Sequence, residues 1–492
     1  MSDAAPSTPL ADDLGGDLTG DLTRGPIART LLVFALPTLA SNILQSLNGT
    51  VNSIWVGRLI GEGALAATAN ANIIMFLVFS AVFGFGMAAT VKVGQAFGAR
   101  NIDAARRAFG SAVGFCLLLS LGVAIGGWIG APALLRAMAT PGESFGLALI
   151  YLRVVFIAMP ATILTVMLSM GLRGGGDAKT PLKFMALTVG LDIVLNPLLI
   201  SGIGPLPAMG IAGAGWAMVI ATVVGVVGMV GYVYARDLPL RLRGSELGYL
   251  WPRAAELRYI VVKGLPMGAQ MLLMAAAGIV MVGLVNREGL LTTAAYAAAS
   301  QLWTYLQMPA LAIGAAVSAM AAQAIGARLP ARLGGIMRVG VIANIAMTGV
   351  LTALLLAFDR PLLGLFLGPD SAAVPLARHI QLLASWSFVL FGVTVVLFGV
   401  MRAGGVVWAP LVILAIALYP ARLGFYYALY PLIGADAIWL SFPAGSLATT
   451  ALAVLAYRRR GWREAARALP STEAAEDSHA DGEAAGRAMP TM

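Results

Sequence analysis

Long stretches of this chain, each at least nineteen residues, carry no Asp, Glu, Lys or Arg, among them 30–57, 63–91, 108–135, 154–172, 193–235, 264–286, 289–327, 339–358, 403–421 and 437–457. A helix rises about 1.5 Å per residue, so roughly 20 apolar residues cross about 30 Å of hydrocarbon. Nearly every window is therefore one membrane span. The window 193–235 is long enough for two; it breaks at Ser201 to Gly213, where Gly202, Gly204, Pro205, Pro207 and Gly210 mark a loop. Its first half extends back to Phe184 across Asp192, and a further span runs from about Pro375 to Met401. The count predicts twelve spans and an all-α integral membrane protein. Composition agrees: 11% of residues are charged, against about 25% in soluble domains. A lone cysteine, Cys116, excludes a disulfide scaffold and a cysteine-based metal centre.

The formal charge of +9 would suit nucleic acid if the basic residues formed a stripe, but they sit in short clusters between the windows. Counted on alternating sides, 25 of the 32 Lys and Arg fall with the N-terminal arm, Lys92 and the loops around 100–107, 173–183, 236–263 and 328–338, Arg402, and the tail from Arg458. The other seven are Arg58, Arg136, Arg153, Arg287, Arg360, Arg378 and Arg422, the last read as lying near a span end. Positive charge favours the cytoplasmic side, so both termini are expected in the cytoplasm. Residues 1–25 read as a disordered arm with no signal peptide, and 461–492 as a disordered tail.

The chain also repeats itself. Gln95-Ala96-Phe97-Gly98-Ala99-Arg100 recurs as Gln323-Ala324-Ile325-Gly326-Ala327-Arg328, offset by 228, while Leu172-Arg173-Gly174-Gly175-Gly176 and Leu36-Pro37 recur as Met401-Arg402-Ala403-Gly404-Gly405 and Leu265-Pro266, offset by 229. Six spans separate the copies, so both halves keep one orientation and should be related by a pseudo-two-fold axis along the membrane normal. The expected organisation is an N-terminal lobe at 26–235, a cytoplasmic connector at 236–259 and a C-terminal lobe at 260–460.

Of 23 carboxylates, only Asp192 falls in the middle of a span, about nine residues past Lys183 and hence roughly 13 Å deep. An ionised acid there is costly, which marks it as functional. Asn196 lies one turn on, and Pro197 frees a backbone carbonyl. On the first span, Ser41, Gln45, Asn48 and Asn52 share one helical stripe, which must face other helices or water. Asn70, Asn72 and Thr188 could complete a polar nest. The C-terminal half has no mid-span carboxylate; Gln301, Trp303, Tyr305, Gln307 and Met308 crowd one span, and Tyr419, Tyr426 and Tyr427 another. Such side chains suit organic cations. No P-loop occurs, and His379 and His479 have no metal-ligand spacing.

Several motifs carry a family resemblance: Leu36-Pro37, Val51-Asn52-Ser53-Ile54-Trp55-Val56-Gly57, Gly94-Gln95-Ala96-Phe97-Gly98-Ala99-Arg100, Leu172-Arg173-Gly174-Gly175-Gly176-Asp177-Ala178-Lys179-Thr180-Pro181 and Leu195-Asn196-Pro197-Leu198. Over about 25–460 the chain resembles the multidrug and toxic compound extrusion (MATE) family. The resemblance implies no enzyme but a cation-coupled exporter of organic cations and amphipathic compounds, working by alternating access between two six-helix lobes. Many members carry Asp where this chain has Asn52, and the C-terminal carboxylates of some sodium-coupled members have no counterpart at Met274 or around Phe391.

The expected function is proton-coupled antiport. Asp192, Asn196, Asn52, Asn48 and Thr188 form the coupling site, and Gln45, Ser41, Asn70, Gln301, Trp303 and Tyr305 the substrate-binding set. No cofactor or metal is expected; the coupling ion is a proton, with sodium as the alternative. The partners are small organic cations, amphipathic drugs and the bilayer, with no nucleic acid, and the chain is expected to act as a monomer. A lipid-linked glycan flippase of related architecture is the other alternative. It would need a strongly basic cavity, whereas only Arg153, Arg402 and Arg422 approach the span interiors.

Overall fold

A computed structural model describes residues 20–459 apart from 139, 141, 203–206 and 369, with the side chains of 62, 66, 70 and 143 also outside the description. The expected arm is thus described only from Gly20, and the tail 461–492 lies outside the described residues. All regular structure among the described residues is helical. The first half contains α1 (Ile27–Leu59), α2 (Glu62–Gly98), α3 (Ile102–Ala137), α4 (Gly142–Gly174), α5 (Lys179–Ser201) and α6 (Ile211–Ala235). The second contains α7 (Ala254–Asn286), α8 (Leu290–Gly326), α9 (Pro330–Ala357), α10 (Asp359–Leu367), α11 (Ala373–Ala384), α12 (Ser387–Ala403), α13 (Trp408–Ile416), α14 (Arg422–Ile433) and α15 (Asp436–Arg458).

Among the described residues, eleven spans are long and apolar enough to cross a membrane. A twelfth is the pair α11 and α12, bent by 42°. The bend falls in the span expected at 375–401. The short α10 was not legible: it precedes α11, where Asp359 accepts from Arg378 at 2.9 Å. Arg422 does not end a span. The eleventh span runs Trp408–Ile433 through it, because the guanidinium is buried against the ring of Phe442 instead of reaching an interface.

The connector is more ordered than a linker of loop. A 3-10 helix, Gly244–Leu250, lies on α3, where Gly110 and Gly114 allow the backbone of Tyr249 and Leu250 to approach. Arg106 holds it twice, donating to the Pro239 carbonyl at 2.8 Å and to Glu246 at 2.7 Å. The seventh span then starts at Ala254.

The repeat is visible in the backbone. Arg100 and Arg328, at the ends of α2 and α8, both take positive φ of 58° and 55°, and Gly176 and Gly405 take 87° and 78°. At this end the two halves touch through a reciprocal pair of hydrogen bonds. Gln95 Nε2 donates to the Ala403 carbonyl at 2.8 Å, and Gln323 Nε2 donates to the Gly174 carbonyl at 3.1 Å. Donor and acceptor on one side are the repeat mates of donor and acceptor on the other, as a two-fold axis requires. Small residues permit the approach, as at helix crossings in lipid: a Cβ at Gly98 would lie 1.9 Å from the Gln323 carbonyl oxygen, and one at Gly326 only 1.8 Å from that of Gln95.

The segment before α1 closes over the same junction. Leu22 is buried, its N–H bonded to Gln323 Oε1 at 2.8 Å, and Arg332 donates to the carbonyls of Arg24 and Gly25 at 3.1 and 2.9 Å. Residues 20–25 are therefore a packed strap between the halves, not part of a disordered arm. Towards the other end, a cavity of about 460 Å³ separates α1 and α2 from α8, lined by Ser46, Gly49, Thr50, Ser53, Ile54, Leu65 and Gln301. The lobes are closed at the Gln95 and Gln323 end and parted at the opposite one.

A Cβ built on Gly94 lies 3.0 Å from that of Ala322, within reach of a disulfide after a small backbone shift. Gly94→Cys with Ala322→Cys, in a Cys116→Ala background, should cross-link on mild oxidation, read as a reducible mobility shift of the purified protein. A pair that stays reduced would contradict closure at this end.

Candidate functional site

The centre of α5 carries the site. Asp192 sits midway along Lys179–Ser201 and is 1% exposed, so its carboxylate must be satisfied by protein groups. Helical geometry supplies the first partner: Asn196, one turn on and also 1% exposed, donates Nδ2 to Asp192 Oδ1 at 3.0 Å and to its carbonyl at 3.0 Å. That second bond uses a carbonyl whose i+4 acceptor role is otherwise filled by the backbone N–H of Asn196, so the amide clips the carboxylate to its own helix. The second partner crosses from the first span, where Asn52 Nδ2 donates to Asp192 Oδ2 at 3.2 Å. Asn48, one turn earlier on the same face of α1, also approaches the carboxylate, and the Tyr151 ring of α4 stands nearby.

No Lys, Arg or His is ion-paired with Asp192 among the described residues. The amides have capacity to spare: Oδ1 of Asn48, Asn52 and Asn196 are all buried without a partner. A carboxylate surrounded by three unpaired amide oxygens is a site short of positive charge. It can accept a proton or hold a small cation. No group of three or more His, Cys, Asp and Glu occurs among the described residues, so donors of that kind are not what assembles here.

The other residues singled out from sequence separate into different environments. Thr188 lies one turn before Asp192, with its hydroxyl against Gly225 of α6; a Cβ there would meet Oγ1 at 2.0 Å. It makes no hydrogen bond to the acid among the described residues. Ser41 is buried and spends its hydroxyl on the Pro37 carbonyl at 2.9 Å. Gln45 and Asn72 are exposed, and the Asn70 side chain lies outside the described residues. Gln301 lines the cavity between the lobes, and Tyr305, 38% exposed, shares its face of α8.

Trp303 does not line that cavity. It is buried inside the C-terminal lobe, donating Nε1 to Gln381 Oε1 at 2.8 Å and to Ser385 Oγ at 3.0 Å, with Gln381 and Ser385 bonded to each other. The cavity wall on α1 is instead Ser46, Gly49, Thr50 and Ser53, a small and polar stripe at helical spacing beside the Asn48 and Asn52 stripe. That spacing was available in the sequence; what it lacked was a reason to prefer small hydroxyls over amides.

Comparison with known proteins agrees with this architecture. A family model described as MatE matches residues 37–198 and again 266–428. The chain belongs to the MatE family. The two matched stretches of this MatE chain begin 229 residues apart, the offset found in its motifs. It is 32% identical over 449 residues to "Probable multidrug resistance protein YoeA" of Bacillus subtilis (strain 168), spanning 91% of this chain and 96% of that protein. It is 30% identical to "Probable multidrug resistance protein YpnP" of the same organism, over 90% and 97% of the two chains. Its fold matches a solved structure described as the outward-facing conformation of a multidrug resistance MATE family transporter of the MOP superfamily, with TM-score 0.83 and 21% identity over 91% of this chain and 99% of that one. The family is one of membrane transporters, with homologues named for multidrug resistance.

Trp303→Phe would remove the indole donor and leave the buried Ser385 oxygen without one, while Gln381 Oε1 keeps only the Ser385 hydroxyl, a loss of about 1–3 kcal/mol. The expected outcome is a lower midpoint of thermal unfolding in detergent; an unchanged midpoint would show that the indole N–H is not part of the lobe's framework.

Proposed function

We propose that this MatE chain exports organic cations and amphipathic drugs from the cytoplasm in exchange for protons, with Asp192 as the exchange site. The observation that carries the reading is the Asp192 carboxylate itself, 1% exposed at the middle of a span, bonded to the amides of Asn52 and Asn196 with Asn48 beside it, and with no ion-paired Lys, Arg or His among the described residues. With no ion-paired cation among the described residues, the acid takes a proton when the lobes part towards the more acidic outer side. Protonation removes the negative charge that attracts a cationic cargo. One of the amide oxygens of Asn48, Asn52 and Asn196, unpaired around the ionised acid, then accepts from the single new O–H once its amide turns over. Cargo leaves outwards, and the proton leaves inwards after the lobes exchange their closed ends.

The energetics suffice. One charge crossing about 100 mV yields about 2.3 kcal/mol. One pH unit adds about 1.4 kcal/mol; an uncharged cargo draws on the sum, about several hundredfold, while a monovalent cation exchanged for one proton moves no net charge and draws on the pH difference alone, about tenfold. The cavity on α1, α2 and α8 would take the cargo, with Gln301 and Tyr305 on its C-terminal wall. On this reading one chain holds the whole pathway and works as a monomer in the bacterial inner membrane, both termini in the cytoplasm.

Asp192→Asn keeps the shape of the side chain and cannot titrate. Cells expressing it should lose proton-linked ethidium efflux while the protein still reaches the membrane in normal amounts; efflux at the wild-type rate would sink the assignment.

Sodium coupling has one specific observation in its favour: the same three unpaired amide oxygens, together with the carboxylate, are oxygen donors of the kind a hard monovalent cation takes. Proteoliposomes separate the two. Proton coupling predicts efflux driven by an imposed pH gradient in sodium-free buffer, faster as the trans side is made more acidic. Efflux that requires sodium at zero pH gradient would replace the proton by sodium at this site.

A further inference from the structure

Asp192 has a repeat mate, and it is a cation. The matched family stretches start 229 residues apart and end 230 apart, at 198 and 428, so the second copy holds one extra residue. A π-helical turn at Ala417–Ala421, containing Pro420, interrupts the eleventh span, and such a turn is a one-residue insertion. Past it the offset is 230, and the position of Asp192 falls on Arg422. The amides change as well: Asn48 and Asn52 correspond at 229 to Ala277 and Met281, and Asn196 at 230 to Tyr426. The N-terminal lobe buries an acid among amides, and the C-terminal lobe buries a guanidinium among apolar and aromatic side chains.

Arg422 has no counter-ion. It is 8% exposed, and no carboxylate pairs with it among the described residues; Asp359 is taken by Arg378, Asp436 by His379 and Glu288 by Tyr430. Its contacts are weak or one-sided. The guanidinium carbon lies 3.6 Å from the centre of the Phe442 ring, Nε reaches Ser441 Oγ at 3.4 Å, and Nη2 is buried with no partner. An unpaired charge at this depth is among the costliest things a membrane protein can keep. Cation–π contact with one ring returns only a small part of that cost. The residual demand is for an anion on the Nη2 edge.

We infer that Arg422 heads a second ligand site, in the C-terminal lobe, which takes the carboxylate group of an aromatic amphipathic cargo. The guanidinium fork matches a planar carboxylate through paired N–H donors. Phe442 packs on Trp303 with centroids 4.9 Å apart, and Tyr296 stacks on Trp439 at 5.9 Å, so rings stand beside the cation to meet an aromatic body. The π-helical turn immediately before Arg422 breaks the regular hydrogen-bond ladder, which lets α14 shift relative to α13 and admit the ligand. The inference rests on the drug-export reading and extends its substrates to carboxylate-bearing and zwitterionic compounds.

The test is a binding comparison on the purified full chain, which needs no transport. Equilibrium dialysis with 2-naphthoate and with its methyl ester in sodium HEPES should give at least about tenfold tighter binding of the acid, as expected for one charge-assisted hydrogen-bonded pair. Arg422→Gln should abolish that preference, Arg422→Lys should keep part of it, and Asp192→Asn should leave it intact. Equal binding of acid and ester to the wild type, or a preference that survives Arg422→Gln, overturns the site. Addition of chloride distinguishes the anion source: naphthoate displaced stoichiometrically by millimolar chloride would make this a halide site and overturn the carboxylate assignment. Ethidium efflux has no carboxylate to offer, so its loss in Asp192→Asn reports on the export reading alone.

Discussion

A carboxylate sunk in the middle of a membrane span and held by amides, with no cation beside it, constrains everything around Asp192. Its burial demands donors, and the protein supplies them from two helices, Asn196 on its own α5 and Asn52 on α1. Those bonds tie α1 to the N-terminal lobe. Yet α1 also packs against α8 of the other lobe, along the cavity that separates them. The helix that reads the state of the acid is therefore the one whose position shapes the space between the lobes. In physical terms, a change of charge on one side chain can bias two packings of rigid helices.

The closed end of the molecule is built for such a change. Its reciprocal hydrogen bonds, from Gln95 to Ala403 and from Gln323 to Gly174, are few and directional. The glycines that let the helix ends meet contribute little apolar surface. Apolar packing reinforces these bonds, since Leu31, Phe34 and Val91 of the first half share one buried cluster with Met320 and Ala322 of α8. The strap at Leu22 and the 3-10 helix on α3 add order on the same side. The halves also differ at their centres, one burying Asp192 and the other Arg422. Duplication preserved the frame and let the polarity of the two buried positions diverge.

Much of this was legible before any coordinates. The spans followed from charge-free windows because lipid excludes charge, and the doubling followed from motifs at one offset. Asp192 with Asn196 was legible because i and i+4 share a helical face whatever packs against it. Trp303 was read as lining a pathway because aromatic content does not say which face of α8 turns inward; that depends on Gln381 and Ser385, over seventy residues away. Ser46, Thr50 and Ser53 were passed over because small hydroxyls usually bond their own helix, as Thr50 and Ser53 also do. Arg422 was taken for the end of a span because a charge ordinarily ends one. Only its contact with Phe442 and its burial reveal the exception.

Hydropathy, charge placement and repetition are properties of the chain that the bilayer reads directly, since each segment must satisfy its backbone within itself and leave its charges in water. They determined the spans, the two halves and the one acid that breaks the rule. Which helices face each other is settled by side chains from distant segments meeting at particular rotations. Tertiary structure alone therefore decided that Asn52 reaches Asp192, that two glutamines clasp the lobes at one end, and that a guanidinium lies unpaired where the first lobe keeps its carboxylate.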